Sequence, residues 1–165
     1  MKFVRFESGD GVAAYGVVNG DTVNEISNSP IGQDYSETGS TYELQDIKIL
    51  APNPHPSKML CLALNYGSHL LGADKPTRPE PFYKNTNAII GPGEAIRLPA
   101  EAGLVVCESE LVVIIGQEAS KVSEQNALDY VFGYTAGNDV SAREWQSGAK
   151  ADKQWWRAKS SDTFG

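Results

Sequence analysis

The sequence contains few of the residues on which several common catalytic and metal-binding sites depend. Among its 165 residues there are two cysteines, Cys61 and Cys107, and two histidines, His55 and His69. It has no Cys-x-x-Cys motif, no histidine pair at ligand spacing, no G-x-S-x-G motif and no phosphate-binding glycine loop. The sequence therefore gives no support for a zinc site, a nucleotide-binding loop or a serine nucleophile. Both cysteines lie in apolar runs, which predicts buried thiols in a reducing compartment and a cytoplasmic protein.

The chain also lacks an excess of basic residues and a long apolar run. Its net charge is −7, and neither nucleic acid nor an anionic membrane is an expected partner, because both attract basic patches. No apolar run approaches the roughly 18 residues of a membrane span, and the charged opening MKFVRFESGDG is not typical of a signal peptide. The apolar fraction of 41% predicts a real core, in one domain or in a small domain followed by part of a larger one.

The first fifty residues have the pattern of a small antiparallel sheet. Three strands are predicted at KFVRFES, VAAYGVVN and TVNEI, separated by the turn signals GDG and NGD, and a fourth at IKIL. The polar residues 28–42 are predicted to form a loop. Three prolines in APNPHPSK predict an extended linker, and His55 within it is expected to be structural or exposed. We therefore place a domain boundary between residues 1–52 and 53–165.

The second region alternates apolar and turn-forming segments. MLCLALNYGSHLLG predicts a strand that runs into a helical turn, ADKPTRPEPF a proline-rich loop, and AIIGPGEAIRLP a strand, a turn and a strand. SEQNALDYVFGYT predicts a helix that begins after Ser123 and ends at Gly133. YTAGNDV predicts a strand ending at Asn138-Asp139, and SAREWQSG a helical turn. The aromatic residues of QWWRAKSSDTFG need packing partners, so we expect the natural chain to continue.

Two carboxylates interrupt the apolar segment CESELVVIIG. Its Val and Ile residues predict a strand buried on both faces, on which Glu108 and Glu110 project from one side, about 6–7 Å apart along the chain. Such a pair repels unless a positive charge lies between its members. With Asp139 at a neighbouring strand end, the residues suit Mg²⁺ or Mn²⁺, which prefer carboxylate oxygens. The alternative is a solvated strand face that binds no metal.

Four further side chains are candidates for a site. If the segment that begins at Asp139 is helical, Asp139, Arg143 and Gln146 share one helical face. A surface Asp–Arg pair is the simpler interpretation. Lys159 lies among small and apolar residues, from which it reaches into a cleft or into solvent. His69 is the candidate general base with a near-neutral intrinsic pKa, and its alternative is a histidine without a catalytic role.

Taken together, these segments resemble the fumarylacetoacetate hydrolase family. The segments that carry the resemblance occur in the family's order: LCLALNYGSH, NAIIGPGEAIRLP, CESELVVIIG, ALDYVFGYTAGNDVSAREWQ and QWWRAKSSDTF. The N-terminal section is similar to the small N-terminal domain of the shorter, bacterial-type members. The resemblance implies an α+β, mainly β fold, in which a small β-rich domain (1–52) precedes a mixed β-roll catalytic domain (53–165). It also implies a homodimer and a Mg²⁺ or Mn²⁺ site, with Ca²⁺ as a further option.

The family's motifs assign roles to the candidate residues. By this match Glu108, Glu110 and Asp139 are the metal ligands, Arg143, Gln146 and Lys159 line the substrate site, and His69 activates water. The substrate implied is a small 2-oxo or 1,3-diketo acid, and the reaction is hydrolysis of a carbon–carbon bond in an acylpyruvate. In this mechanism the metal stabilises the enolate, and Lys159 adds positive charge at the developing oxyanion.

Two departures from the family pattern bear on the reaction. Hydrolytic members usually supply a glutamate three residues after the histidine, where this chain has Gly72, and no acid occurs before Asp74. Three alternative reactions need only the stabilised enolate. They are decarboxylation of an oxaloacetate-type acid, dehydration of a sugar acid and keto–enol isomerisation. A non-catalytic member of the family is the third possibility. The chain is also expected to stop inside the catalytic domain, before the strands that close the pocket.

Overall fold

The computed structural model describes residues 1–70, 72 and 74–165 of the chain. Leu71, at the end of the predicted helical turn, and Ala73, at the start of the predicted proline-rich loop, lie outside the described residues. The described residues form two compact units. The first consists of Met1–Asn53, Gly91–Glu94 and Ser109–Gly137, and the second of Pro54–Ile90, Ala95–Glu108 and Asn138–Gly165.

A five-stranded antiparallel sheet forms the N-terminal part of the first unit. Its spatial order is β4-β3-β2-β1-β5, and its strands are β1 (Phe3–Glu7), β2 (Ala13–Asn19), β3 (Thr22–Ile26), β4 (Glu37–Glu43) and β5 (Lys48–Leu50). A 3₁₀ turn at Leu44–Asp46 leads into β5. The four predicted strands are confirmed. The predicted loop over 28–42 is wrong from Glu37 onward, because pairing with β3 holds a polar and mostly exposed edge strand there.

Alternation along these strands builds the core of the sheet. Val4 and Phe6 of β1 point inward together with Val23 of β3, and all three are buried. Gly16 of β2 lies beside them with no room for a side chain. A Cβ there would overlap Val23 Cγ1 and lie 2.9 Å from the Asn24 carbonyl oxygen and 3.2 Å from the Phe6 ring. Close packing at this position therefore requires glycine.

We expect Gly16→Ala to lower the free energy of unfolding by about 1–3 kcal/mol, because the added methyl group overpacks the core beside Val23 and Phe6. Urea denaturation followed by circular dichroism measures the change. Gly9→Ala is the matched control, since a Cβ at Gly9 meets no atom within 4 Å. Equal stability of the two variants would contradict the packing argument.

A two-stranded sheet completes the first unit. It pairs β9 (Ser109–Ile115) with β10 (Val131–Asn138), and a 3₁₀ turn spans Glu124–Tyr130. The predicted helix to Gly133 is wrong, because the turn ends at Tyr130 and Gly133 lies inside β10. The prediction that β9 is buried on both faces is also wrong for the chain as described. Leu111 and Ile115 are 65% and 52% exposed.

The second unit combines two short antiparallel pairs with two short helices. β6 (Met59–Ala63) pairs with β7 (Glu80–Lys84), and β8 (Val105–Val106) pairs with β11 (Ser141–Ala142). The helices are α1 (Arg143–Gln146) and α2 (Trp156–Ser160), and 3₁₀ turns occupy Gly67–Leu70 and Thr86–Ala88. The buried core of this unit consists of Ala102, Val140, Ala142, Trp145, Ala158 and Phe164.

Three predictions for this unit are corrected. The described residues 89–99 contain no strand, because the backbone of this segment bonds elsewhere: the Ile90 N–H donates to the Gly165 carbonyl oxygen at 3.0 Å. Cys107 is exposed rather than buried, since the apolar run breaks between β8 and β9. Near the end of the sequence, where no helix was predicted, α2 forms, and Phe164 is fully buried in the unit's own core.

The described elements are mainly strands with few helices, which confirms the predicted α+β, mainly β class. In the described part of the chain no helix has both the length and the apolar character needed to cross a membrane.

Candidate active site

The site begins with a backbone connection between two segments that carry acids. Asp139 lies between β10 and β11, and its backbone N–H donates to the Glu108 carbonyl oxygen at 2.9 Å. The Glu108 N–H in turn donates to the side-chain oxygen of Asn138 at 3.1 Å. These two hydrogen bonds hold Glu108 and Asp139 side by side, although 31 positions separate them in the sequence.

Two buried lysines share the Asp139 carboxylate. Lys84 Nζ donates to Asp139 Oδ1 at 2.5 Å and to the Val140 carbonyl oxygen at 3.2 Å. Lys159 Nζ donates to Asp139 Oδ2 at 2.6 Å and to Glu108 Oε2 at 2.9 Å. The side chains of Lys84, Lys159 and Asp139 are only 2%, 3% and 8% exposed. Burial lowers the pKa of Lys84, and the neighbouring Asp139 carboxylate opposes that shift.

Arg143 reaches the other oxygen of Glu108 from the start of α1. Its Nη2 lies 2.7 Å from Glu108 Oε1, and its Nη1 donates to the side-chain oxygen of Gln146 at 2.6 Å. The contact between Arg143 Nη2 and Glu108 Oε1 is short enough for an ion pair, but its angle does not meet the geometry of a hydrogen bond. Within the described residues Oε1 is buried and accepts no hydrogen bond. A buried carboxylate oxygen that accepts no hydrogen bond can serve as a ligand of a metal cation.

Glu110 brings a third carboxylate. Glu108, Glu110 and Asp139 each offer one oxygen, and these oxygens lie within 4.8 Å of one another. Three converging hard oxygen donors fit a divalent cation of the Mg²⁺ or Mn²⁺ type. The geometry therefore brings together the three predicted ligands, and their role in metal binding stays a prediction.

The environment of Lys159 explains how a lysine comes to be buried near the end of the described chain. It lies on α2 between the buried residues Ala158 and Ser160, and its Nζ is 5.2 Å from the centre of the Phe82 ring. Trp155, which precedes α2, has a left-handed backbone with φ +55°, and its carbonyl oxygen accepts the Lys159 N–H. Left-handed backbone is costly for a tryptophan and often marks a functional segment.

Among the described residues, no hydrogen bond or ion pair joins His69 to this network. It is exposed on the 3₁₀ turn Gly67–Leu70, its backbone N–H donates to the Tyr66 carbonyl oxygen, and its ring centre is 6.0 Å from that of Tyr66. In the part of the chain that the structure describes, no carboxylate forms an ion pair with the His69 imidazole. The structure therefore brings six of the seven predicted site residues together, and His69 has no described contact with them.

The backbone at Gly72 gives a physical reason for the missing acid. Gly72 has φ +90°, a region that residues with a side chain rarely adopt. A glutamate at this position would strain the turn even though a Cβ meets no atom within 4 Å. The position at which hydrolytic relatives are expected to carry an acid thus requires glycine in this chain.

The sequence pattern does not reveal Lys84 as a member of the network, and it misplaces Asp139 relative to Arg143. Lys84 is a single lysine at the end of β7, and no spacing or charge pattern connects it with Asp139. The proposal that Asp139 and Arg143 share a helical face is wrong, because α1 begins only at Arg143. The two residues meet through Glu108 instead, since both contact that side chain or its backbone.

Comparison with known proteins bears directly on this arrangement. Residues 58–165 match the family model described as fumarylacetoacetate (FAA) hydrolase C-terminal, and residues 1–52 match the model described as Rv2993c-like, N-terminal. The chain belongs to the fumarylacetoacetate hydrolase family. It is similar to protein Rv2993c of Mycobacterium tuberculosis, with 41% identity over 99% of this chain and 63% of the relative. It is also similar to the mitochondrial oxaloacetate tautomerase fahd2 of Xenopus laevis, with 42% identity over 72% of this chain and 38% of the relative.

Solved structures of family members superpose on the described fold. One is the 5-carboxymethyl-2-hydroxymuconate delta-isomerase from Mycobacterium smegmatis, with a TM-score of 0.87 and 39% identity over 99% of this chain and 63% of that one. Another is maleylpyruvate hydrolase from Sphingobium sp. SYK-6 in complex with manganese(II) ion and pyruvate, with a TM-score of 0.72 and 26% identity over 99% of this chain and 64% of that one. This chain thus spans less than two thirds of the length of these family members.

Proposed function

We propose that this member of the fumarylacetoacetate hydrolase family is a divalent-metal-dependent enzyme that interconverts the keto and enol forms of a 2-oxo dicarboxylic acid of the oxaloacetate class. One observation carries the proposal. The buried cations and carboxylates around Asp139 suit stabilisation of an enolate, whereas the exposed His69 forms no ion pair with an acid among the residues that the structure describes. Tautomerisation requires the first function and not the second.

The names of relatives support the same reaction class. The similar protein from Xenopus laevis is named an oxaloacetate tautomerase, and the similar structure from Mycobacterium smegmatis is named a delta-isomerase. Both reactions move a proton within a carbonyl compound without adding water across a carbon–carbon bond. Hydrolysis, to which the motifs first pointed, is the second candidate.

The metal would be held by Glu108, Glu110 and Asp139. When bound, Mg²⁺ or Mn²⁺ acts as a Lewis acid that polarises the 2-oxo group, and Ca²⁺ takes the same type of donor with more ligands. Glu108 Oε1, which forms an ion pair with Arg143 but accepts no hydrogen bond among the described residues, supports this assignment. In a similar structure, the maleylpyruvate hydrolase from Sphingobium, a manganese ion and a 2-oxo acid are present together.

The remaining residues bind and orient the acid. The Arg143 guanidinium, which is 40% exposed, is accessible to a substrate carboxylate, and Gln146 fixes its position through the 2.6 Å hydrogen bond. Lys159 presents an ammonium group that stabilises negative charge on the enolate oxygen. Stabilisation of the enolate lowers the barrier to removal of the C3 proton, which passes to a solvent water, and a solvent proton then adds to the enolate oxygen to give the enol. The reverse transfers return the keto form, and neither direction needs a protein base that activates water for attack on a carbonyl.

Hydrolysis of an acylpyruvate is the second candidate because of the manganese-containing hydrolase among the similar structures. In that case His69 Nδ1 or Nε2 removes a proton from the attacking water. A homodimer and a cytoplasmic location are part of the proposal and stay predictions.

The deciding experiment assays the protein with Mn²⁺ on three substrates. Conversion of enol-oxaloacetate is followed by ultraviolet absorbance after subtraction of the spontaneous rate, and hydrolysis is followed with acetylpyruvate and fumarylpyruvate. We expect Mn²⁺-dependent tautomerisation with little hydrolysis. Hydrolysis that is faster than tautomerisation would replace the proposal by the second candidate.

His69→Ala separates the two reactions. We expect the kcat/KM for tautomerisation to fall by less than about threefold, because His69 lies outside the buried network, and any acylpyruvate hydrolysis to fall by about 10²–10⁴, the usual contribution of a general base. Steady-state kinetics on both substrates measures the two changes. His55→Ala, at the other exposed histidine, is the control. A parallel loss of both reactions would show that His69 serves tautomerisation as well.

A further inference from the structure

The network around Asp139 is balanced in charge before any metal is considered. Glu108 and Asp139 contribute two negative charges, and the three cations in contact with them, Lys84, Arg143 and Lys159, contribute three positive charges. The nearby Glu110 carboxylate adds a third negative charge and brings the formal sum to zero. A set of three carboxylates alone would attract a divalent cation strongly, but this set already has its counter-ions.

A divalent cation therefore enters a site that has no excess of negative charge. Both oxygens of Asp139 already accept from ammonium groups, at 2.5 Å and 2.6 Å. Like charges a few ångströms apart in a partly desolvated site repel each other substantially. Addition of the cation alone leaves the site with two uncompensated positive charges. A dianion that arrives with the cation removes both charges, whereas a monoanion leaves one.

We propose that the metal and a dianionic 2-oxo acid bind to this site as a charge-neutral pair, each raising the affinity for the other, and that Lys84 sets the preference for a dianion over a monoanion. This inference rests on the metal site of the proposed function. It adds that the site selects its substrate by charge, so that 2-oxo acids with a second carboxylate, and the enolates formed from them, are preferred to pyruvate-like monoanions.

Lys84 is the residue that tests the idea, because it contributes charge through contacts with the protein alone. Its Nζ donates to Asp139 and to the Val140 carbonyl oxygen, and its side chain is 2% exposed. Arg143 and Lys159, in contrast, are assigned to contact with the substrate. Removal of the Lys84 charge changes the electrostatic balance of the site without the loss of a substrate contact.

The experiment measures binding of Mn²⁺ to the protein by isothermal titration calorimetry in the presence of saturating oxalate or oxamate. The two anions have nearly the same shape and the same chelating oxygens, but oxalate carries two negative charges and oxamate one. The measured quantity is the ratio of the Mn²⁺ dissociation constant in oxamate to that in oxalate. Chelation of Mn²⁺ by the anions in solution is identical for every variant and cancels when the ratios of two variants are compared.

We expect this ratio to be about tenfold smaller in Lys84→Met than in the unmodified protein, a coupling of ordinary size between two ligands. Lys84→Gln keeps a donor for Asp139 without the charge, and it is expected to behave like Lys84→Met even if the methionine variant folds poorly. Lys150→Met removes a lysine that is 68% exposed and pairs with Glu144, and it should leave the ratio unchanged.

The outcomes distinguish the inference from the function on which it rests. If Mn²⁺ binds but the ratio is the same in all four proteins, the charge-selection inference is wrong and the proposed function stands. If Mn²⁺ binds in the presence of neither anion, the metal site of the proposed function is wrong and the inference fails with it. A purely structural role of Lys84 would weaken binding in both anions equally and leave the ratio unchanged, which also overturns the inference.

Discussion

Asp139→Ala is expected to lower the free energy of unfolding by about 3–5 kcal/mol and to abolish Mn²⁺ binding, because it leaves the ammonium groups of Lys84 and Lys159 buried without their shared carboxylate. Removal of one partner from a buried ion pair lowers the free energy of unfolding by more than the intact pair contributes to it. The reason is that the remaining charge has neither water nor a counter-ion around it. Urea denaturation measures the stability, and calorimetry with Mn²⁺ measures the binding.

Asp152→Ala provides the matched control for this variant. Asp152 also pairs with a cation, Arg157 at 2.8 Å, but the two side chains are 29% and 52% exposed. Solvent screens such a pair, and its loss should change the stability by no more than about 1 kcal/mol. Similar losses in the two variants would mean that the Asp139 network contributes no more than an ordinary surface ion pair.

Lys159→Met is expected to reduce kcat for tautomerisation by about 10²–10³ while the protein remains folded. The methionine occupies a similar volume, but it cannot donate a hydrogen bond to an enolate oxygen, and loss of one such donor typically has an effect of this size. Glu108 and Asp139 each retain one cation, Arg143 and Lys84, so neither carboxylate is left buried without a partner. Steady-state kinetics with oxaloacetate and Mn²⁺ measures the effect.

Two further measurements complete this prediction. Thermal unfolding should show that Lys159→Met melts cooperatively, and calorimetry should show that it still binds Mn²⁺. Wild-type kcat in this folded, Mn²⁺-loaded variant would exclude Lys159 as the group that stabilises the enolate, and the role would pass to another cation of the site such as Arg143.

The elements that could be predicted from the sequence are those encoded locally. β1, β2 and β3 follow from apolar alternation and from turn residues such as Gly20, whose φ of +63° suits a two-residue hairpin loop. The convergence of Glu108, Glu110 and Asp139 was likewise accessible, since carboxylates in and beside apolar strands are unusual. The signals for the strands and for the Glu108–Glu110 pair lie within a few residues of the feature that they predict, whereas Asp139 follows Glu108 by 31 positions.

The features that could not be predicted depend on partners distant in the sequence. β4 has no apolar pattern and exists because β3 offers it a backbone edge. Residues 89–99 have the composition of a strand pair, but the Ile90 backbone bonds to Gly165 instead. Lys84 meets its carboxylate across 55 positions of sequence, and no local pattern records that contact. Tertiary context decided each of these cases.

The long separations within the Asp139 network also bear on how the second unit folds. Lys84, Glu108, Asp139 and Lys159 come from four separate segments, and the contact between Lys84 and Asp139 closes a loop of 55 positions. Contacts of this kind incur the chain-closure entropy before they stabilise anything, so they tend to form late. We expect such a network to contribute little to the folding transition state and to act chiefly by slowing unfolding. We therefore expect the residues that form the site to stabilise the folded state chiefly by lowering its rate of unfolding.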